Sequence, residues 1–514
     1  MVDNVIQGKT RTRREFCSFY TESDPILTYM VDRLAIEDGD LVLEPCAGDG
    51  IFLETILNSN KKKNFKIDAV DLNSTAIENL EKLYGQDNRI AIRQVDTLTD
   101  PTFDLLSNMG GHYSKVIGNP PYGAWQDYEK RQLLKKLYRG YVRETYTLFL
   151  QRCLSLLKNN GKLVFIIPDT FLALHLHKKL REELLKNSVV EEIILIPSHF
   201  FPGINFGYSN LCIISILKSR NFQDNRISIA SVTNSVNDLY EITNGNYKVA
   251  DYYEQVSQEE VLKTIDHSFL IGGNSRIREL VNKSEVCLGD IADCVTGFYS
   301  GDNRKFMATR DCSVKRSKGF EIINECLVDY DFLKQRDVLT GLKNLKEYIP
   351  ILKGGKSHFV KDTEWFIRWD QKTVEHYKKD KKARFQNSAY YFREGIGVPM
   401  VKSNGIHAFL LQKRLFDQSV VGIFPKDPKH LYYILAFLNS DICSQLLRII
   451  NHTANNSANY LKKLPIILDN GSFKEIDKIF NGFWESKNVV ETLGKVNKVF
   501  NMLYSHKTGL CPLS

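Results

Sequence analysis

Short apolar runs alternate with amphipathic stretches through the first 220 residues. Leu41-Val42-Leu43, Ile67-Asp68-Ala69-Val70, Ile90-Ala91-Ile92, Val116-Ile117 and Leu163-Val164-Phe165-Ile166-Ile167 are five such runs, and 189–196 and 211–217 are two more. Each has the length and β-branched content of a buried strand. Between them, apolar residues recur at a helical period: Ile26, Leu27, Met30, Val31 and Leu34; Leu53, Ile56 and Leu57; Ala76, Ile77 and Leu80; Phe149, Leu150, Cys153, Leu154 and Leu157. Pro25 suits the first turn of the first helix, with Ser23 or Asp24 as its cap, and Asn159-Asn160-Gly161 ends the last. Strands alternating with helices over this length predict an α/β domain with a doubly wound, mostly parallel seven-stranded sheet.

The pattern then changes. Residues 219–260 are polar and rich in Asn, and are expected to close the first domain and link it to the next. From about residue 265 the segments become shorter and irregular, broken by loops such as Leu352-Lys353-Gly354-Gly355-Lys356 and Lys402-Ser403-Asn404-Gly405-Ile406-His407. An apolar helix is expected to end at Asn439-Ser440. The expected domains are 1–245 and a mixed α+β domain over 265–514.

Composition narrows the class. At 514 residues the chain suits two or three domains, and 43% hydrophobic with 25% charged residues describes a globular protein. No apolar run approaches the roughly 18 residues of a spanning helix, and the first residues lack a secretory apolar core, so a cytoplasmic protein with no membrane partner is expected. Ten cysteines stand singly without a CxxC pair, which argues against a zinc site or a disulfide framework. The net charge of +8 permits a polyanionic partner without requiring one.

Candidate chemistry sits at the predicted strand ends. The first strand runs into Glu44-Pro45-Cys46-Ala47-Gly48-Asp49-Gly50, where glycines let a backbone approach a ligand at a helix start. The second ends in Asp71, which can hold ribose hydroxyls or cap the following helix, and the third in Asp96. The fourth leads into Asn119-Pro120-Pro121-Tyr122, a stiff turn at the edge where open α/β sheets bind ligands. After it, 126–145 is basic and helical in propensity, either a cover over the site or a solvated helix. Pro197-Ser198-His199-Phe200-Phe201-Pro202-Gly203 is an aromatic loop between the last two strands.

Together these residues resemble the TaqI-like, gamma-class N6-adenine DNA methyltransferases of restriction–modification type. The resemblance covers 15–220 motif by motif and the remainder more loosely. It implies a Rossmann-like methyltransferase sheet, S-adenosylmethionine as cofactor, and a carboxyl-terminal target-recognition domain that binds double-stranded DNA. Carried over by motif, Thr21, Glu44, Gly48, Gly50, Asp71, Asp96 and Phe149 hold the cofactor. Asn119, Pro120 and Tyr122 are catalytic, and Phe201 stacks with Tyr122 on a flipped-out adenine, with Phe200 as the rival wall. No metal is implied. The expected reaction is methyl transfer to adenine N6, protecting DNA from a restriction endonuclease that acts separately. Cytosine N4, RNA adenine or a protein glutamine are alternative acceptors, and an inactive DNA-binding specificity module is the non-enzymatic alternative. The chain departs from the family pattern at Thr97, where an aromatic is common, and at Thr21-Glu22-Ser23-Asp24-Pro25, where Thr-Pro is usual.

Overall fold

The computed structural model describes residues 23–123, 128–138, 144–200, 210–272, 275–335, 337–401, 405–451 and 455–508. The chain divides into two compact units, Met1–Ile271 and Gly272–Ser514.

The first unit is built on one sheet of nine strands: β1 (Leu41–Glu44), β2 (Lys66–Asp71), β3 (Ile90–Gln94), β4 (Tyr113–Gly118), β5 (Leu157–Pro168), β6 (Val189–Ile196), β7 (Leu211–Leu217), β8 (Arg226–Ser231) and β9 (Tyr252–Ser257). Their order is β3-β2-β1-β4-β5-β7-β6-β8-β9. The β1–β2, β2–β3, β1–β4 and β4–β5 pairs are parallel, whereas β7 lies antiparallel between β5 and β6. Central strands are apolar on both faces because helices cover both: Val42, Leu43, Val116, Ile117 and the run from Leu163 to Ile167 have no exposure.

The seven expected strands are present, but the sheet does not stop there. β8 pairs parallel with β6, and β9 antiparallel with β8, inside the segment expected to be a link. The first unit therefore ends at Ile271 and not at 245. The physical reason is a period of two. Ile227 and Ile229 are buried while Arg226 faces solvent, so half of each strand is polar and the composition resembles a loop. The end of this unit is tied down by Arg181, a fully buried guanidinium that donates to the carbonyls of Phe171, Leu174, Asp266 and His267.

Helix starts follow local rules. Asn73 and Asp100 cap Ser74–Tyr84 and Pro101–Asn108, accepting from Thr75 and Thr102 amides. Ser23 occupies the cap of Asp24–Leu34 without a side-chain hydrogen bond, and Pro25 lies in its first turn.

The second unit holds two smaller sheets. The first, ordered β10-β18-β15-β16, joins β10 (Ala292–Thr296), β18 (Val420–Pro425), β15 (Ile396–Pro399) and β16 (Phe409–Leu410). The second, ordered β12-β11-β14-β13-β17, joins β12 (Glu321–Ile322), β11 (Met307–Thr309), β14 (Trp365–Arg368), β13 (Tyr348–Leu352) and β17 (Leu415–Phe416). Its core is aromatic, with Phe298 meeting Trp369, Tyr377, Phe385 and Tyr391 edge-on. Helices Leu431–Asn439, Asp441–Ile450, Asn470–Ser486 and Val489–Thr508 complete it. Among the described residues no single helix is long and apolar enough to cross a membrane.

Candidate active site

The carboxyl ends of β1, β2 and β4 converge on one loop. β1 delivers Glu44, 1% exposed, whose Oε2 has no hydrogen-bond partner among the described residues. Burial, and then the neighbouring Asp71 carboxylate, push the Glu44 carboxyl well above the usual range. After Pro45 the backbone turns through Gly48 (φ 52°) and Gly50 (φ 80°) into helix Ile51–Ser59. Gly50 is the left-handed cap of that helix, and a Cβ there would lie 2.6 Å from Leu80 Cδ2, so geometry and space both ask for glycine.

Asp71 braces this turn. The Gly48 amide donates to Asp71 Oδ2 and the Asn73 amide to Oδ1, each at 2.8 Å. Burial raises the Asp71 pKa, while these amides pull it down. Of the two sequence readings of Asp71, helix capping falls to Asn73 instead, and Asp71 faces the glycine loop.

Asp96 follows β3. Its Oδ1 accepts from the Leu98 amide at 3.0 Å, and its Oδ2 pairs with Lys130 Nζ at 2.7 Å. Lys130 lies on helix Tyr128–Leu137, so this part of the basic segment is folded onto the acid-lined edge, where Tyr138 also donates to the Leu98 carbonyl at 2.8 Å. Thr97 is buried and donates from Oγ1 to the Pro45 carbonyl at 2.6 Å. A small hydroxyl at this position thus ties the β3 end to the β1 loop, where an aromatic could not.

The Asn119-Pro120-Pro121-Tyr122 turn leaves β4 directly against the same loop, and the Cys46 thiol donates to the Asn119 carbonyl at 3.5 Å. Asn119 is half-buried and Pro120 buried. Tyr122 is only 6% exposed; its hydroxyl donates to the Ile166 carbonyl at 3.3 Å, and its ring meets Tyr146 edge-on at 6.4 Å. Thr145 Oγ1 donates to the Gly123 carbonyl, closing the turn from helix Thr145–Leu156. Phe149, on that helix, is buried in the core of the unit.

Thr21 and Phe201 lie outside the described residues. Phe200, the rival aromatic, is half-buried, packs on the core, and meets the His199 ring at 4.6 Å. Sequence reasoning missed Asp169, 6% exposed at the carboxyl end of β5, although the signal that finds Glu44 and Asp71 also marks it. It also missed the pair behind the turn, where the Tyr146 hydroxyl lies 3.0 Å from His177 Nε2. Burial, with Arg181 beside it, lowers the His177 pKa to about 3, so this fully buried ring is neutral. No group of three or more metal-ligating side chains occurs among the described residues.

A glycine turn after β1, acids closing β1 and β2, and an antiparallel β7 between β5 and β6 define an α/β methyltransferase domain of the S-adenosylmethionine-dependent type. Residues 26–201 match the family model described as the Eco57I restriction-modification methylase. Among relatives, the chain is 28% identical over 193 residues to the Type II methyltransferase M.AccI of Acinetobacter calcoaceticus, covering 36% of this chain and 34% of that one. It is 24% identical over 440 residues to the adenine-specific methyltransferase BrxX of Escherichia coli O9:H4 (strain HS), covering 83% of this chain and 34% of that one. The matches thus span about a third of these relatives' lengths. Among solved structures, a cryo-EM DrdV–DNA complex superposes with a TM-score of 0.57 at 13% identity, over 92% of this chain and 57% of that one. A nuclease-deletion mutant of the Type ISP restriction-modification enzyme LlaGI, in complex with a DNA substrate mimic, gives 0.55 at 12% identity, over 90% and 54%.

The family's methyl donor is S-adenosylmethionine, and the loop fits it. Glu44 presents a buried carboxylate oxygen without a protein partner among the described residues, and Gly48 and Gly50 carry no Cβ over the turn. A sulfonium cation also suits an edge lined by carboxylates.

Proposed function

We propose that the chain transfers a methyl group from S-adenosylmethionine to the N6 amine of a flipped-out adenine at a specific sequence in double-stranded DNA, as the modification partner of a separate restriction endonuclease. The observation that carries this reading is the seating of the Asn119-Pro120-Pro121-Tyr122 turn on the Glu44–Gly50 loop, with the Cys46 thiol on the Asn119 carbonyl. Such contact brings a cofactor loop and an amide-bearing turn to one edge, as transfer to a planar nitrogen requires. The name of one relative, the adenine-specific methyltransferase BrxX, supports an adenine acceptor, and the DNA-bound structural neighbours support a DNA substrate.

The cofactor supplies an electrophilic methyl group. Glu44 and Asp71 hold its ribose side, Asp96 and Phe149 its adenine, and Thr21 its methionine part. An aromatic amine is a poor nucleophile because its lone pair is delocalised. The Asn119 carboxamide oxygen and the Pro120 carbonyl accept from the amine's two N–H bonds, drawing the nitrogen toward tetrahedral geometry and stabilising its developing positive charge. Proline rings on both sides keep these acceptors in place. Tyr122, backed by Tyr146 and fixed through Ile166, gives one wall for the extruded base, and Phe201 the other.

Incubation with labelled S-adenosylmethionine and mixed-sequence duplex DNA, followed by nucleoside analysis, tests the reading. N6-methyladenine at one short motif is the expected product. Label confined to cytosine N4, RNA or protein overturns it.

A further inference from the structure

Two loops and a helix end that are far apart in sequence meet in the second unit through a chain of hydrogen bonds. Asn439, 6% exposed at the end of helix Leu431–Asn439, is fixed in orientation. Its Nδ2 donates to the Ala408 and Leu435 carbonyls at 2.9 and 2.8 Å, and its Oδ1 accepts from the Ala408 amide at 3.0 Å. Flipping the amide would set two oxygens against each other twice and two donors once, so Oδ1 is an acceptor.

The rest of the chain follows from that atom. His358 Nδ1 lies 2.6 Å from Asn439 Oδ1 and must carry the proton. In neutral His358, Nε2 is then the bare nitrogen. His407 Nδ1 lies 2.8 Å from it and must donate. The bare nitrogen of neutral His407 is therefore Nε2, which makes no hydrogen bond among the described residues on a half-buried ring. Two backbone bonds hold the loops in this arrangement, from the Phe359 amide to the Ala408 carbonyl at 2.8 Å and from the Leu410 amide to the Phe359 carbonyl at 2.9 Å.

We propose that His407 is a specificity-determining residue whose Nε2, locked as an acceptor by His358 and Asn439, selects an exocyclic amino group at one position of the DNA target. The inference rests on the DNA-methyltransferase reading. In the major groove the only donors on base edges are adenine N6 and cytosine N4; guanine and thymine present oxygen and nitrogen acceptors there. An acceptor that cannot change tautomer therefore rejects guanine and thymine. A neutral imidazole does this without the repulsion that a carboxylate would meet from phosphates, and exposed Lys356, on the loop that carries His358, suits phosphate contact. One added proton on either ring would turn His407 Nε2 into a donor. Burial, then His358 and Lys356, hold the His407 pKa below its ordinary value, which preserves the acceptor form at neutral pH.

The test uses the full chain and two readouts: mapping of methylated motifs in mixed-sequence DNA, and selection of bound duplexes from a random pool. Wild type should require adenine or cytosine at one position, and purine or 2-pyrimidinone analogues lacking the amine, placed there, tell which. His407→Ala should relax that position by roughly tenfold and leave the others intact. His358→Ala, which frees the His407 tautomer, should admit guanine or thymine at the same position, a change that simple loss of folding cannot produce. An unchanged motif in His407→Ala, or a uniform loss of affinity at all sequences, overturns the proposal. A wild type that selects a sequence without methylating it sinks the methyltransferase reading alone, since base selection still scores His407. Selection of no sequence overturns both.

Discussion

Replacing Glu44 by glutamine should stabilise the cofactor-free protein while weakening its hold on S-adenosylmethionine. Glu44 is 1% exposed and its Oε2 has no partner among the described residues, so the ionised form is buried without compensation. Its pKa is raised, by burial first and Asp71 second. For a carboxyl raised in the folded state, the native protein keeps a proton that the unfolded chain gives up. Its contribution is fully present below the unfolded carboxylate range and is lost as pH rises through the folded value. The amide in Glu44→Gln does not ionise, so the variant escapes that loss. An unpaired buried polar group costs about 1–3 kcal/mol. At about 2–4 °C per kcal/mol for a unit of this size, the substitution should raise the midpoint by roughly 2–12 °C at pH 8 and by much less at pH 4. Scanning calorimetry of the full chain, following the transition that cofactor shifts, reads both values. Added S-adenosylmethionine should then raise the wild-type midpoint by mass action and leave the variant nearly unmoved. A variant that melts at or below wild type at pH 8 without cofactor would refute the reasoning, because Glu44 would then be stabilised by its surroundings.

Asn119→Ala should cut methyl transfer by about a hundredfold or more, with cofactor affinity by calorimetric titration largely kept; full activity would remove its assigned role. Lys130→Ala should tighten cofactor binding by up to about fivefold, because Lys130 sits 2.7 Å from the Asp96 oxygen assigned to the cofactor's adenine and a part-exposed pair is worth about 1 kcal/mol at most. Weaker binding in a calorimetric titration would show that the lysine assists the cofactor. Arg181→Leu should cost roughly 3 kcal/mol or more, since the buried Phe171 and Asp266 carbonyls lose the guanidinium and the part-buried Leu174 and His267 carbonyls lose one donor each, and should speed amide exchange around residues 171–177 and 264–268. Exchange rates equal to wild type in those segments would count against the tie.

The central strands β1, β4, β5 and β7 are legible because burial on both faces leaves uninterrupted apolar runs, and the edge strand β3, which has no buried residue, is legible from Ile90-Ala91-Ile92 alone. β8 and β9 escape because one face is polar, which makes Arg226–Ser231 and Tyr252–Ser257 resemble their flanking loops. The second unit resists for another reason: its pairings are distant, as when Ala292 meets Pro425, and several strands have only two or three residues. At the site, Glu44 and Asp71 announce themselves as acids closing apolar runs. That Asp71 grips the Gly48 amide, or that Lys130 reaches Asp96, depends on side-chain geometry that spacing does not encode. The histidine relay is hidden for the same reason, its three members being spread from residue 358 to residue 439.

The continuation of the first sheet through β8 and β9 bears on how such chains can be recombined. A chimera joined at residue 245 would lack the partner of β8 and the Asp266 and His267 carbonyls that accept from Arg181, leaving a bare, adhesive strand edge. A junction at 271/272 keeps every one of these contacts with the donor of the first unit. Second units exchanged at that seam, rather than at the polar stretch that composition suggests, should leave the first sheet with both of its last strands and a folded first unit.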